Sequence, residues 1–203
     1  MKRRPAVFLD RDGVINRDCG FVGDLARFEF LEGVPQALHS LRRQGFLLVL
    51  VTNQSGIARG FYSEADFFTI CAYMQQVLRL HDAAFDQICY CPHHPQAQLL
   101  RYRKACGCRK PAPGMLLKAA EALDIELGTS VMIGDRLGDL QAAENAGVPL
   151  RILAGGQPEA LAHVPASAYV CADLQDAAKF LEKNYRRLSA TLLPDGPRAG
   201  TGG

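Results

Sequence analysis

Short apolar segments alternate along the chain with segments whose apolar residues recur at helical spacing, and this alternation constrains the fold most. The apolar segments are residues 6–9, 46–51, 85–90, 131–134 and 150–153, with a weaker one at 168–171. Because polar residues do not alternate within them, each segment fits a strand that is buried on both faces. Such strands joined by helices form a parallel sheet with helices on both sides. The sequence therefore predicts a doubly wound, mostly parallel α/β fold.

Five helices are predicted between and after these strands. The first has an apolar stripe that runs from Val34 to Leu41 and ends near Gly45. The second begins at Ser63, because Asp66 follows three residues later as in a capping box. The other three are predicted near residues 113–123, 137–146 and 174–188.

The length of the chain favours one domain. A chain of 203 residues, 48% of them hydrophobic, can bury one α/β core but is short for two. We therefore predict a single domain over residues 1–188. Residues 189–203 have no apolar period and are predicted to be a disordered tail.

Charge and cysteine content exclude several classes of protein. The formal net charge of +2 is small and its basic residues are spread out, which argues against a nucleic-acid partner. No apolar segment is long enough for a signal peptide or a membrane span. Seven cysteines, with four of them crowded into one region, do not suggest a disulfide framework. We expect a cytosolic monomer with no membrane or nucleic-acid partner.

Polar residues with catalytic potential follow the predicted strands at their carboxyl ends, where open α/β sheets bind ligands. Asp10 and Asp12 follow the first strand, Thr52 and Asn53 end the second, and Asp135 follows the fourth. In an extended segment, residues two apart leave the same side of the chain. We therefore expect the Asp10 and Asp12 side chains to face one site, with Arg11 pointing the other way.

This set of residues suits the hydrolysis of a phosphate ester. One carboxylate can attack phosphorus while a second protonates the leaving alkoxide and then activates water. Asp135 offers a further oxygen for Mg²⁺, and Lys110 offers charge to the phosphoryl oxygens. An isolated Asp-x-Asp at a strand end is more often a solvated turn, but the helpers at the other strand ends favour a catalytic site.

A second metal site is indicated farther along the chain. Cys91, Cys106 and Cys108, with His93 or His94, supply three thiolates and an imidazole, which can close a tetrahedral zinc shell. The alternative is a chance cluster of cysteines. The twelve residues between His93 and Cys106 have little apolar content, and a bound metal would help to offset the entropy of ordering them.

Four motifs together resemble the haloacid dehalogenase superfamily of phosphatases. They lie at residues 8–16, 51–56, 108–111 and 134–136, in the order that the family uses. The resemblance covers roughly residues 6 to 150. It implies a Rossmann-like haloacid dehalogenase fold. The connections after Asp12 and after the third strand are too short for a large cap domain.

The resemblance also assigns roles to residues. It implies that Asp10 is the nucleophile, that Asp12 is the acid and base, and that Thr52 and Lys110 stabilise the phosphoryl group. It implies Mg²⁺ held by the Asp10 carboxylate, the Asp12 main-chain carbonyl and Asp135. It selects His93 as the fourth ligand of a structural Zn²⁺, beside Cys91, Cys106 and Cys108.

The same resemblance implies a set of substrate-binding residues. They are Asp18, Cys19, Gly20, Phe21, Thr52, Asn53, Gln54, Ser55, Arg109, Lys110 and Arg136. Three positions depart from the family pattern: Cys19, Phe21 and Arg136 stand where the family often has His, Tyr and Lys. The loss of an imidazole or a hydroxyl at these positions would alter contacts to the sugar.

The number of cations beside the site suggests the substrate. A monophosphate needs only Mg²⁺ and Lys110, whereas Arg109 and Arg136 are additional and suit a second, retained phosphate. A phosphorylated sugar with two phosphates fits best. The alternatives are a histidinol-phosphate phosphatase, a nucleic-acid 3′-phosphatase that the modest charge disfavours, and an inactive zinc-bearing binding module.

Overall fold

The computed structural model describes residues 3–156 and 158–192, and the residues predicted as a tail from 193 onward lie outside these ranges. Six parallel strands form one sheet in the order β3-β2-β1-β4-β5-β6. They are β1 (Ala6–Leu9), β2 (Leu47–Asn53), β3 (Gln87–Cys91), β4 (Val131–Gly134), β5 (Leu150–Ala154) and β6 (Tyr169–Cys171). The prediction of a parallel α/β sheet is confirmed.

Seven helices accompany the strands in the described part of the chain. They are α1 (Val34–Arg43), α2 (Ser55–Ala58), α3 (Glu64–Arg79), α4 (Gly114–Leu123), α5 (Leu137–Asn145), α6 (Pro158–Ala162) and α7 (Leu174–Leu192). All five predicted helices are present. Ser63 caps α3 as predicted, since its hydroxyl accepts from the Asp66 amide while the Asp66 carboxylate accepts from the Ser63 amide.

The structure adds elements that the sequence pattern did not indicate. Two are the short helices α2 and α6, and two are 3₁₀ turns at Leu100–Tyr102 and Leu127–Thr129. One turn of helix buries too few side chains to produce a recognisable period. Helix α7 also continues to Leu192, four residues beyond the predicted domain boundary at 188.

The core has two layers, one on each face of the sheet. On one face, Leu38 of α1, Phe67 of α3 and Leu181 of α7 pack on Leu9 and other side chains of the strands. On the other face, Leu116 of α4 and Ala142 of α5 pack on Phe8, Val49 and Met132. Each central strand therefore buries both faces, which explains its unbroken apolar sequence.

The topology places the site at the centre of one sheet edge. The chain runs from β1 outward through β2 to β3 and then returns to β4 beside β1, so the crevice between β1 and β4 is a topological switch point. Asp10 follows β1 and Asp135 follows β4. Gly13, with a φ of 86°, passes so close that a Cβ there would lie 2.5 Å from the Asp135 Oδ2. Only glycine fits that approach.

The two long connections above this edge are residues 10–33 and 92–113. Within the described ranges neither contains a long helix or a sheet of its own, so the fold lacks a large cap. Among the helices described, none combines the length and the apolar character needed to cross a membrane.

Candidate active site

Four charged side chains are buried together at the ends of β1 and β4. Oxygens of Asp10, Asp135 and Asp139 lie within 4.8 Å of one another. The Lys110 Nζ lies 2.8 Å from the Asp10 Oδ1 and 2.6 Å from the Asp139 Oδ1, and it donates to the Val51 carbonyl. The site therefore brings three predicted residues together and adds Asp139.

The charges in this cluster are unbalanced. Burial raises the pKa of Asp10, against the lowering effect of Lys110, and burial with the carboxylates of Asp10 and Asp139 raises the pKa of Asp135 to about 7. Burial opposes the charge on Lys110, but Asp10 and Asp139 outweigh it and raise the pKa of Lys110. The largely exposed Arg136, with its Nε 3.7 Å from the Asp135 Oδ2, is the second cation beside these three carboxylates. Two cations leave one negative charge uncompensated, which favours a bound metal ion.

Asp135 points to where a cation would bind. Its Oδ1 is buried and has no hydrogen-bond partner in the described part of the chain. An orphaned buried carboxylate oxygen is costly unless it binds a cation or a proton. Mg²⁺ prefers such hard oxygen ligands. The residues present at this strand end therefore fit a magnesium ion.

Asp12 is held in one orientation by three neighbours. The Arg11 Nη2 lies 2.8 Å from the Asp12 Oδ1 and 2.9 Å from its Oδ2, Asn16 donates to Oδ1 at 3.0 Å, and the Gln54 Nε2 donates to Oδ2 at 3.2 Å. The prediction that Arg11 points away is wrong, because its fully buried guanidinium folds back against Asp12 and also donates to the Val22 carbonyl. This pairing compensates both charges in place.

Gln54 links Asp12 to Thr52. Its Nε2 also donates to the Thr52 Oγ1 at 2.9 Å, while its Oε1 accepts from the Tyr62 hydroxyl at 2.5 Å. Tyr62 fixes which end of the Gln54 amide faces Asp12. Thr52 itself is 1% exposed and lies beneath the cleft lining rather than in it. Its hydroxyl can still donate toward a group at the strand end.

Asn53 positions the backbone of Lys110. Its Oδ1 accepts from the Lys110 amide and its Nδ2 donates to the Lys110 carbonyl, both at 3.1 Å. Two bonds between one side chain and one residue's backbone fix its position firmly. Asn53, predicted to contact substrate, thus also fixes the lysine to the end of β2.

The four predicted zinc ligands converge. The sulfurs of Cys91, Cys106 and Cys108 lie 3.1 to 3.4 Å apart, and the His93 Nδ1 lies 3.7 Å from the Cys91 Sγ and 3.6 Å from the Cys108 Sγ. In a tetrahedral shell with bonds of about 2.3 Å, sulfurs lie about 3.8 Å apart, so the sulfurs would spread by about 0.4 to 0.7 Å around the ion. The cluster fits a zinc ion.

The surroundings shift the pKa values of these thiols in different directions. Burial raises the pKa of Cys91 and of Cys108, whereas hydrogen bonds from those two residues outweigh burial and lower the pKa of Cys106. A bound metal would stabilise all three as thiolates. Three further cysteines, Cys71, Cys89 and Cys171, are buried in the core as predicted. The Arg109 Nη1 donates to the His93 carbonyl at 3.4 Å, which attaches a substrate-binding candidate to the zinc loop.

A cleft of about 370 Å³ opens above the catalytic cluster. Most predicted substrate residues line it, namely Asp18, Gly20, Phe21, Asn53, Gln54, Ser55, Arg109, Lys110 and Arg136. Cys19 does not line it: its side chain is exposed, and its sulfur lies 3.8 Å from the Arg27 carbonyl. Arg136 extends across the rim to Asp18, with 2.8 Å between the Arg136 Nη2 and the Asp18 Oδ2.

Sequence reasoning missed three side chains of the site. Asp139 lies in the first turn of α5 and returns to the sheet edge, and its spacing of four residues from Asp135 could have indicated this. Arg59 and Tyr62 line the cleft after the short helix α2, which the pattern did not predict. A Cβ on Gly23 or on Gly56 would lie 2.2 Å from the Tyr62 ring, so those two glycines form the slot that holds the ring.

Comparison with known proteins agrees with this geometry. A family model described as "HAD-hyrolase-like" matches residues 107–177. The chain is 45% identical over 186 residues to D-glycero-beta-D-manno-heptose-1,7-bisphosphate 7-phosphatase of Escherichia coli K12, covering 91% of this chain and 97% of that protein. The protein of the same name from Vibrio cholerae is 52% identical over 150 residues, which are 74% of this chain and 81% of its own.

A solved structure gives the same relationship. The crystal structure of D,D-heptose 1.7-bisphosphate phosphatase from B. bronchiseptica, complexed with magnesium and phosphate, superposes with a TM-score of 0.79 at 36% identity. It covers 88% of this chain and 98% of its own. The sequence identity, the shared fold and the matching family model agree. The chain therefore belongs to the D-glycero-beta-D-manno-heptose-1,7-bisphosphate 7-phosphatase family of haloacid dehalogenase-like phosphatases.

Proposed function

We propose that this phosphatase hydrolyses the C7 phosphate of D-glycero-D-manno-heptose 1,7-bisphosphate and leaves the C1 phosphate in place. The observation that carries the proposal is the 45% identity over 91% of the chain to a phosphatase of that name. The cleft supports it independently, because it places cations beyond those that one phosphate requires.

In the first half of the reaction, a carboxylate oxygen of Asp10 attacks the C7 phosphorus and the bond from phosphorus to the C7 oxygen breaks. Asp12 gives its proton to that oxygen, so heptose 1-phosphate leaves as an alcohol. Lys110, 2.8 Å from Asp10, places its charge where the phosphoryl oxygens gather during transfer. The result is an aspartyl-phosphate on Asp10.

In the second half, Asp12 is a carboxylate and takes a proton from water. The resulting hydroxide attacks the phosphorus, inorganic phosphate leaves and Asp10 is restored. The contacts of Asp12 with Arg11, Asn16 and Gln54 hold its carboxylate in one place through both steps. Thr52 supports the phosphoryl group from below through its hydroxyl.

Two metals complete the proposal. Mg²⁺, held by Asp10, Asp135 and the Asp12 main-chain carbonyl, supplies the charge that lets a phosphate dianion approach three carboxylates. Zn²⁺ on Cys91, His93, Cys106 and Cys108 is structural, since four protein ligands leave no open position. Its role is to fix Arg109 and Lys110, which directly follow Cys108.

Arg109 and Arg136 are proposed to hold the retained phosphate. Both line the cleft, and an arginine fork suits a phosphate that is bound but not transferred. Histidinol phosphate is disfavoured, because these arginines would repel its cationic end. The substrate-binding roles of Asp18, Gly20, Phe21 and Ser55 fit their places in the lining, while Cys19 lies outside it.

The product indicates a place in metabolism. A sugar 1-phosphate is the form that a nucleotidyltransferase couples to a nucleotide, so heptose 1-phosphate would serve ADP- or GDP-heptose synthesis. A cytosolic monomer remains our prediction. All seven cysteines lie in the described ranges, and none of them forms a disulfide there.

A substrate panel tests the proposal. We expect kcat/KM for heptose 1,7-bisphosphate to exceed that for fructose 1,6-bisphosphate and histidinol phosphate by about 100-fold or more, because two anions and a seven-carbon chain must fit together. Phosphate release with added Mg²⁺ measures each rate, and α and β anomers are assayed separately. A preference for histidinol phosphate would refute the assignment.

A further inference from the structure

The charged side chains that line the cleft differ in whether they have an ion-pair partner. The charged residues of the lining are Asp10, Asp12, Asp18, Asp139, Arg59, Arg109, Lys110 and Arg136. Lys110 is paired with Asp10 and Asp139, and Arg136 is paired with Asp18. Over residues 3–156 and 158–192, neither Arg59 nor Arg109 has a carboxylate partner. A ligand anion can meet these two arginines without displacing a carboxylate, whereas Arg136 would have to exchange Asp18 for the anion.

The Arg59 side chain has polar atoms that the surrounding residues of the described ranges do not satisfy. It is partly buried, and its Nε is enclosed without a hydrogen-bond partner in the described part of the chain. A buried guanidinium donor left unpaired costs free energy unless a ligand satisfies it. Arg59 lines the cleft, so a phosphate oxygen bound there would accept a charge-assisted hydrogen bond from its guanidinium.

The neighbouring loop holds Arg59 in place. The Arg59 Cζ lies 5.7 Å from the centre of the Phe21 ring, and that ring meets Phe61 edge-on at 4.8 Å. Phe21 has a φ of 49°, a strained conformation for a residue other than glycine. Arg27 stabilises this loop by donating to the carbonyls of Cys19, Gly20 and Phe21. The loop therefore bears strain in a conformation that stacks Phe21 on Arg59.

The zinc loop contributes a second donor beside Arg59. The His94 Nδ1 accepts from the Gln96 amide at 3.1 Å, so the ring hydrogen lies on Nε2. That Nε2 is 3.5 Å from the Arg59 Nη2, so two donors face each other. An anion oxygen placed between the two residues would accept a hydrogen bond from each, and the two donors would no longer face each other without an acceptor.

We propose that Arg59 is a specificity-determining residue that binds the retained phosphate together with Arg109, on the zinc-loop side of the cleft. This inference rests on the proposed bisphosphate substrate. It accounts for the lack of a carboxylate partner for Arg59 in the described ranges, for the stacking of Phe21 on its guanidinium and for the facing donor of His94. Arg59 takes no part in the transfer itself.

The test compares two substrates that differ only in the retained group: heptose 1,7-bisphosphate and heptose 7-phosphate. For Arg59→Gln we expect kcat/KM on the bisphosphate to fall about 10- to 100-fold, mainly through KM, because a charge-assisted hydrogen bond is lost. On heptose 7-phosphate the loss should stay below about threefold. Arg59→Lys should recover part of the loss, since it keeps the charge but not the fork.

Arg101→Gln is the matched control. Arg101 is also stacked on an aromatic ring, 4.9 Å from the centre of Tyr102, but lies outside the cleft, so both rates should stay native. If Arg59→Gln lowers both substrates equally, or neither, the inference is overturned while the proposed function stands. If the native enzyme itself does not prefer the bisphosphate, the proposed function fails first.

Discussion

Replacing Asp10 with Asn should reduce turnover by at least about 10⁴-fold, because an amide keeps the shape of the carboxylate but cannot attack phosphorus. The fold should survive. Lys110 keeps Asp139 as a partner at 2.6 Å, and removing one of three crowded carboxylates relieves repulsion. Phosphate release under saturating Mg²⁺ measures the rate, and thermal melting checks the fold.

Asp124→Asn is the matched control for this variant. Asp124 is exposed at the end of α4 with a φ of 53°, a conformation that Asn also adopts, so activity should remain native. The nucleophile assignment would be wrong if the Asp10 variant kept more than about 1% of native turnover. The loss of a residue that reacts covalently should lower the rate by far more than about 100-fold.

Replacing Cys108 with Ser should lower stability and activity together. The variant should lose most of the roughly one zinc ion per chain expected in the native protein. We expect it to lose about 3–4 kcal/mol, or about 10 °C in melting temperature for a chain of this size. Activity should fall about 10- to 100-fold, because the loop that positions Arg109 and Lys110 loosens.

Cys89→Ala separates metal binding from the loss of a thiol. Cys89 is buried in β3 two residues before Cys91 but is outside the ligand cluster, so its variant should keep zinc. Elemental analysis, melting and phosphate release are measured on all three proteins. Native protein free of zinc, or a Cys108 variant as stable as native, would contradict the structural role.

The strands were predictable because a strand at the centre of a parallel sheet needs an almost wholly apolar sequence. A central parallel strand buries both faces, so segments such as Val131–Gly134 have no polar residue to confuse the pattern. The position of Asp10, Thr52 and Asp135 at strand ends followed directly, since parallel strands end at one edge. The convergence of Cys91, Cys106 and Cys108 was predictable because they crowd into one segment of the sequence, whereas the choice of His93 over His94 came from the family resemblance.

What the sequence did not reveal depends on tertiary contacts between long side chains. Strand alternation predicts where the Arg11 Cβ points, but its side chain is long enough for the guanidinium to return to Asp12. The sequence pattern places Asp139 in a helix, and only the packing of α5 on β4 brings its carboxylate to Lys110. Arg59 follows a single turn of helix, too short for any period to locate it.

Phosphorus NMR of the reaction with heptose 1,7-bisphosphate shows directly which of its two phosphates the enzyme removes. We expect inorganic phosphate to appear while the C7 phosphate signal disappears and the signal of the phosphate on the anomeric carbon persists as heptose 1-phosphate. Accumulation of heptose 7-phosphate, or loss of both signals at equal rates, would contradict it.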